Sequence, residues 1–285
     1  MTRSDLRPPQ GVPRVPPLAA EHADGYVRAA YDLAAHTWGI PNNLVRTMGW
    51  LPALATTEVA YANAFIFDDG PLARWPSPAD PARQTLLPYA GFVDRVTKEL
   101  LINLVSLLNR SRYSITHHTV IGFATLTAHG EPAEEMLLHL VDSTGKPDFE
   151  AHAAHYRDLH LHALRFALAA RTDPHAVTDE QFAALRAVLR DEAKGRIAGG
   201  PLAGEPGTAT EEYLDTWVNG ALVELTWLVL HFDGLLNRWF TLLRVPDETS
   251  VAADGIDFVA HYNATVPERL KVRNNNLLGP TGWGR

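Results

Sequence analysis

An acid and an imidazole occupy neighbouring helices in the middle of the chain. Glu99 lies on a mostly apolar helix predicted from Phe92 to Leu108, and His118 lies on the next helix, predicted to begin near Ser111. A buried carboxylate is costly unless it is paired, so we expect His118 to be its partner across a tight corner. Such a pair can share a proton near neutral pH, because burial raises the pKa of the Glu99 carboxyl. It can equally be a structural hydrogen bond that orients two helices.

Further polar side chains share the helical faces of these two residues. Spacings of three, four and seven residues place them on one side of each helix, where they could hydrogen-bond an oxygen-rich small molecule. The sequence thus predicts Glu99 and His118 as catalytic residues, and Asn103, Ser111 and Ser114 on the same faces as substrate-binding residues. Tyr113 and His117, next to these positions on the second helix, are also predicted to bind substrate.

His117 and His118 are adjacent, and adjacent helical residues point about 100° apart. Both therefore cannot line one pocket equally well. For His117 the alternatives are a surface side chain, a partner of a site residue, or a metal ligand.

A second long apolar helix, predicted over residues 211–245, carries Glu224 and His231 on one face. The stretches KELLINLVSLLNR (98–110) and VELTWLVLHFDGLLNR (223–238) both contain Glu-Leu near their start and end in Leu-Leu-Asn-Arg, which suggests a duplicated helical unit. Glu224 either braces the helix bundle or is the repeat counterpart of Glu99. Glu99, His118 and His231 together would make a carboxylate and two-histidine metal site, of the kind that suits non-haem iron. The H-E-x-x-H spacing is absent, so no cofactor is predicted and this metal site is the alternative.

Histidines are also dense in residues 152–162. His152, His155 and His162 share a predicted helical face with Leu159. This face is interpreted as solvated, the alternatives being the edge of a binding site or an adventitious metal patch.

Helical spacing of apolar residues dominates the chain, and no stretch alternates with a period of two for long enough to predict a sheet. The fold class is therefore all-α. A proline-rich extended arm is predicted over residues 1–18, followed by a single helical domain over 19–285. Within that domain the motif-bearing unit spans about 85–145 and a second helical unit about 178–245. Residues 68–88 are predicted to be a loop, and 149–172 one helix.

Composition excludes several kinds of chemistry. The chain of 285 residues has no cysteine, which excludes disulfides, thiolate metal sites and thiol peroxidase activity. The net charge of −8 argues against a nucleic-acid partner, because phosphate contacts need a basic patch. No signal peptide or membrane-spanning run is apparent, so a cytoplasmic protein that acts on a small molecule is expected.

The stretch KELLINLVSLLNRSRYSITHH resembles the signature of the alkylhydroperoxidase D-like/carboxymuconolactone decarboxylase superfamily. Glu99, Asn109, Tyr113 and His118 stand at matching positions, whereas Ser111 and Ser114 occupy the two cysteine positions. Three further stretches resemble longer members, so the similarity covers roughly residues 35–245: IPNNLVRTMGWLPAL, RTDPHAVTDEQFAALRA and VELTWLVLHFDGLLNRWFTLLRV.

The resemblance implies an all-helical fold of two pseudo-repeated units and a homo-oligomer, a dimer, trimer or hexamer. In the peroxidase branch, a cysteine pair reduces peroxide while Glu and His relay protons. Serine cannot form a disulfide, so that chemistry fails in this chain. The decarboxylase branch uses acid–base residues, which favours a decarboxylase, isomerase or lactone-opening enzyme. The alternatives are a metal-dependent oxygen-using enzyme and a non-catalytic ligand-binding or scaffold protein.

Overall fold

The computed structural model describes residues 5–6, 12–66, 74–77, 80–86, 92–199, 210–248 and 257–283. The chain is all-α, as predicted, with one short hairpin. The α-helices are α1 (Gly25–Trp38), α2 (Asn43–Met48), α3 (Pro52–Tyr61), α4 (Arg95–Leu108), α5 (Arg112–Ala128), α6 (Ala133–Leu138), α7 (Asp158–Thr172), α8 (Asp179–Gly199), α9 (Glu211–Leu230), α10 (Asn237–Leu243), α11 (Phe258–Thr265) and α12 (Glu268–Leu278).

Shorter elements join or extend these helices. Two π-helical segments, Ala62–Ile66 and His231–Leu236, follow α3 and α9. Three 3₁₀ turns occupy Ala20–His22, Ala153–His155 and Pro174–Ala176. Strands β1 (Arg74–Ser77) and β2 (Asp80–Leu86) pair antiparallel, with Arg74 opposite Leu86.

Several local predictions were wrong. The segment 68–88 contains the β1–β2 hairpin, not only loop. The helix predicted from 149 begins only at Asp158, after a 3₁₀ turn. The second long helix, predicted over 211–245, is interrupted by the π segment at His231–Leu236. Helices α11 and α12 were not predicted at all.

Helix α4 lies at the centre of the bundle and packs against α5, α7 and α9. Nearly every one of its side chains is buried, including the polar ones. Asp94 caps its start by accepting a 2.8 Å hydrogen bond from the backbone N–H of Thr97. The surroundings of α4 therefore have to supply partners for each polar group that it carries.

The corner between α4 and α5 is tight, as the sequence predicted. Arg110 adopts a left-handed conformation, with φ of 51°, and the N–H of Ser111 then bonds the carbonyl of Ser106 at 3.1 Å. Asn103 ties the two helices together, because its Nδ2 donates to the carbonyls of Glu99 and His118, both at 2.8 Å. This link fixes the spacing between the two helices at the level of the predicted site.

The described residues of the N-terminal arm lie against their own chain. Leu6 is fully buried, and its N–H donates to Asn263 Oδ1 at 2.6 Å. The carbonyl of Pro16 accepts a 2.8 Å hydrogen bond from Trp50 Nε1. The arm thus contributes to the core instead of extending freely from it.

A search of the described residues for membrane spans found no helix with the length and apolar character to cross a bilayer.

We predict that Gly122→Ala destabilises the protein by about 1–3 kcal/mol, because overpacking forces a core to shift. A Cβ at Gly122 on α5 would lie 2.6 Å from Asn103 Nδ2, the atom that links α4 to α5. The free energy of unfolding, measured by urea denaturation, checks this prediction.

Gly195→Ala is the matched control, since its Cβ on α8 would meet nothing within 4 Å. That change should stabilise the protein by roughly 0.5–1 kcal/mol through helix propensity. Equal gains in both variants would contradict a close contact at Gly122.

Candidate active site

A cavity of about 650 Å³ lies beside the N-terminal half of α5. Its wall is mainly apolar and aromatic, with polar groups concentrated on α3, α5 and α11. The lining residues are Thr37, Trp38, Ile40, Asn42, Leu44, Glu58, Ala62, Ile66, Tyr113, Ser114, His117, His118, Ile121, Phe232, Leu236, Phe240, Asp257, Phe258 and His261. Its size and composition are typical of a small-molecule site.

The predicted pairing of Glu99 with His118 is present. Glu99 Oε2 lies 3.0 Å from His118 Nδ1, and the Glu99 side chain is fully buried. The other carboxylate oxygen, Oε1, lies 2.6 Å from a guanidinium nitrogen of Arg95, one helical turn earlier. Arg95 is itself buried and also donates to the carbonyl of Ile66, on the cavity wall. The sequence analysis missed this cation, although its i, i+4 spacing from Glu99 is a usable signal.

The expectation of a raised Glu99 pKa was wrong. Burial does raise the pKa of the Glu99 carboxyl, but the charges of Arg95 and His118 outweigh burial and hold this pKa below its usual value. Glu99 is therefore an anion at neutral pH and does not share a proton with His118. Its role in the pair is to accept a hydrogen bond.

An ionised Glu99 fixes the tautomer of a neutral His118. Nδ1 must carry the proton that it donates to Glu99, so Nε2 is left as the acceptor. Nε2 has no hydrogen-bond partner among the residues that the structure describes, and the His118 side chain is 13% exposed on the cavity wall. This arrangement makes His118 a candidate general base.

His117 is buried and also faces the cavity, so it is not a surface histidine. Its Nε2 lies 2.5 Å from Glu248 Oε2, and its ring is stacked between the rings of Tyr113 and Phe258. Burial lowers the His117 pKa, but Glu248 and Asp247 more than compensate, and the pKa is raised above its usual value. His117 thus keeps its proton to a higher pH than a free imidazole, and its protonated ring lies in an aromatic sandwich that favours a cation.

Glu248 was missed by the sequence analysis. It lies 131 residues beyond His117, in a segment without helical periodicity, so no spacing rule connects the two. Its Oε1 accepts hydrogen bonds from the Tyr113 hydroxyl at 3.0 Å and from the backbone N–H of Asn43 at 2.6 Å. Burial raises the pKa of the Tyr113 hydroxyl well above its usual value, with Glu248 adding to the effect, so Tyr113 stays protonated.

The two serines at the start of α5 differ in placement. Ser111 and Ser114 are both buried, and neither hydroxyl has a hydrogen-bond partner among the described residues. Ser114 lines the cavity, whereas Ser111 does not. Asn103 is also absent from the cavity wall, because its amide links α4 to α5. The structure therefore places Tyr113, Ser114 and His117 at the cavity, and it leaves Ser111 and Asn103 outside.

The alternative metal set is not assembled. His231 Nε2 lies 3.1 Å from Glu58 Oε2 and so pairs with a residue of α3. Among the described residues, the potential ligand atoms of Glu99, His118 and His231 do not form a cluster that could hold a metal ion. Glu58 lines the cavity, and it therefore adds a third carboxylate–imidazole pair next to it.

Glu224 braces the bundle and lies outside the cavity wall. Its Oε1 lies 2.7 Å from Lys98 Nζ, and its Oε2 accepts hydrogen bonds from the backbone N–H groups of Phe92 and Val93. Its surroundings thus differ from those of Glu99, its proposed repeat counterpart.

No family model matches this chain, and no curated protein gives a significant match to it.

We predict that stability depends on pH through the buried His117–Glu248 pair. Because the His117 pKa is raised, its contribution is complete below its usual value of 6.5 and is lost as the pH rises through the folded-state pKa. Because the Glu248 pKa is lowered, by His117 against the opposing effect of burial, its contribution is complete above 4.5 and is lost as the pH falls through the folded-state pKa. The pair should stabilise most between these values, as free energies of unfolding against pH can show.

Glu248→Gln should cost about 3–5 kcal/mol near pH 6, because it strands a buried charge, and should abolish the decline above pH 6.5. Glu150→Gln, which breaks the exposed pair with Arg165, is the control and should cost less than about 1 kcal/mol. A Glu248→Gln variant with the wild-type slope above pH 6.5 would show that His117 is not the group responsible.

Proposed function

We propose that this protein is a small-molecule enzyme of the alkylhydroperoxidase D-like type that works by acid–base chemistry without a thiol. The observation that carries the proposal is the chain of contacts from Arg95 through Glu99 to His118, which ends at the wall of a largely apolar cavity. A histidine fixed by a buried anion, with its second nitrogen unpartnered, is the arrangement that general base catalysis requires.

Each residue has a distinct part in the proposed chemistry. Nε2 of His118 takes a proton from the substrate, and the imidazolium that forms is stabilised by the Glu99 carboxylate 3.0 Å from Nδ1. Arg95 keeps Glu99 ionised throughout. His118 then returns the proton to another substrate atom, which completes an isomerisation, or to the carbanion that a decarboxylation leaves. A lactone could open by the same proton transfer, with water activated by Nε2.

The polar part of the cavity defines the substrate class. The Ser114 hydroxyl lacks a partner among the described residues, and it lies on the cavity wall with the His117 cation and the Tyr113 hydroxyl. A substrate oxygen placed there would satisfy Ser114 and approach a positive charge. The remaining wall, with Trp38, Phe232 and other apolar groups, fits a hydrocarbon body. A small carboxylic or keto acid with an apolar portion meets both conditions.

A ligand-binding protein without turnover is the second candidate. The same unpartnered Ser114 and apolar wall favour it, since binding alone would satisfy them. The two candidates differ in whether His118 takes a proton from the bound compound. Variants of Glu99 and His118 therefore distinguish them.

We predict that His118→Asn and Glu99→Gln abolish turnover of a substrate from a panel of β-keto acids and lactone acids, followed by proton NMR. The loss in kcat for His118→Asn should be about 10²- to 10⁴-fold, the usual contribution of general acid–base catalysis. Glu99→Gln should reduce kcat with little change in KM, because an amide can hold the imidazole in the wrong tautomer.

Glu224→Gln is the matched control for this experiment. It removes a buried carboxylate that pairs with Lys98, away from the cavity wall, so the folded variant should keep its kcat. Turnover that survives His118→Asn would overturn the proposed base. Saturable binding of panel compounds without any turnover by the wild-type protein would identify a binding protein instead.

We also predict no reduction of organic hydroperoxide with a dithiol as reductant, since Ser111 and Ser114 replace the cysteines. Peroxide consumption by the wild-type protein, compared with His118→Asn and a protein-free blank, tests this. Dithiol-dependent turnover above the blank would contradict the argument from the absent thiols.

A further inference from the structure

We propose that a divalent transition-metal ion binds at a second site formed by His139, His152 and His155. Each of the three imidazoles offers a ligand nitrogen, and these nitrogens all lie within 4.8 Å of one another. Among the residues that the structure describes, they are the one group of three or more potential ligands that cluster in this way. None of them lines the cavity at His118, so the site is separate from the proposed active site.

The fold brings these histidines together through a structured connection between α6 and α7. His139 is the residue that ends α6, and the chain then forms a short antiparallel bridge between Val141 and Pro147. The N–H of Asp148 bonds the carbonyl of Leu140 at 3.2 Å, which returns the chain to the end of α6. His152 and His155 follow, just before and within the 3₁₀ turn Ala153–His155.

The bridge has its own internal support. Asp142 Oδ1 accepts hydrogen bonds from the backbone N–H groups of Thr144, at 2.8 Å, and Lys146, at 3.0 Å. Phe149, on the far side of the bridge, is 1% exposed and anchors the segment to the core. The three histidines are thus presented by a backbone that hydrogen bonds and core packing already hold in place.

Two carboxylates face the imidazoles in the manner of outer-shell groups. Asp148 Oδ2 lies 3.4 Å from His139 Nδ1 and 3.3 Å from His152 Nε2. Glu135 Oε2 lies 3.2 Å from His139 Nε2. A carboxylate that accepts the N–H of a ligating histidine fixes its tautomer and raises its basicity as a ligand. Their negative charge also offsets the charge of a bound cation.

The three imidazole rings are stacked against one another. The ring centroids of His139 and His152 are 3.4 Å apart with planes 17° from parallel, and the His155 ring is nearly parallel to His139 at 5.7 Å. The side chains are only partly buried, so their rings can turn one nitrogen each toward a shared ion. For His139 this turn exchanges one of its two carboxylate contacts for the ion.

The chemistry of the ligands selects the class of ion. Imidazole nitrogen suits Zn²⁺, Cu²⁺ and Ni²⁺, whereas Mg²⁺ and Ca²⁺ prefer oxygen. Three histidines leave a fourth tetrahedral position, which water can fill. His139 and Asp148 also line a surface groove of about 460 Å³, which gives an ion a path of entry. We therefore take Zn²⁺ as the probe.

We predict that the full-length protein, purified without an affinity tag and stripped with EDTA, binds one Zn²⁺ per chain in competition with a chromophoric chelator. His152→Gln and His155→Gln should each weaken this binding by at least about tenfold, since each removes a ligand. Asp148→Asn should weaken it by about 10- to 100-fold, the usual effect of an outer-shell change. One equivalent of Zn²⁺ should also raise the Tm of the wild-type protein but not of the histidine variants.

His162→Gln is the matched control, because His162 lies in the same histidine-rich stretch, on α7, and outside the cluster. It should bind Zn²⁺ like the wild-type protein. The absence of stoichiometric binding by the wild-type protein would overturn the proposal. An equal loss of affinity in His162→Gln would also overturn it, because binding would then reflect diffuse histidine content. Circular dichroism of each metal-free variant separates loss of a ligand from loss of the fold.

Discussion

The fully buried carboxylate of Glu99 imposes the constraint on which the proposed active site depends. An isolated charge in this position would be very costly, and each carboxylate oxygen has a partner: the Arg95 guanidinium at Oε1 and the His118 imidazole at Oε2. Arg95 and His118 together hold the Glu99 pKa below its usual value against the opposing effect of burial. The Nδ1 side of the His118 ring therefore faces the Glu99 carboxylate, and the unpartnered Nε2 is left for the cavity.

The corner between α4 and α5 also places two adjacent histidines, His117 and His118, on the wall of one cavity. Neighbouring helical side chains diverge, and we expected only one of them to serve a pocket well. Both line the cavity because it wraps around α5, and each ring is held by its own carboxylate: His118 by Glu99 from α4, and His117 by Glu248 from the segment after α10. The divergence thus separates an imidazole whose Nε2 has no partner among the described residues from one that is paired with Glu248 and stacked between aromatic rings.

Sequence reasoning was successful where the interactions are local in the chain. The helix class, the tight corner after Arg110 and the Glu99–His118 contact all follow from spacing over about 20 residues. Contacts between distant segments were inaccessible, since nothing in a single sequence links His117 to Glu248 or His231 to Glu58. The sign of the Glu99 pKa shift was missed for a related reason.

The error in the Glu99 pKa shows what the pattern of polar residues along α4 does not reveal. Arg95 lies one turn before Glu99, but a sequence does not tell whether an arginine folds over a buried carboxylate or extends into solvent. Burial alone predicts a raised pKa, whereas burial with a guanidinium 2.6 Å away gives a lowered one. The direction of the Glu99 pKa shift depends on the distance between the Arg95 guanidinium and the Glu99 carboxylate, which a sequence does not give.

The two buried serines at the start of α5 differ in what a bound ligand can do for them. A buried hydroxyl without a partner is destabilising, and this holds for both Ser111 and Ser114 among the described residues. At Ser114 a ligand oxygen in the cavity can recover that cost. Ser111 lies outside the cavity wall, so a ligand in the cavity does not do the same for it. If the proposed relationship holds, these serines stand at the two cysteine positions of the family, and Ser114 is the one that a substrate can use.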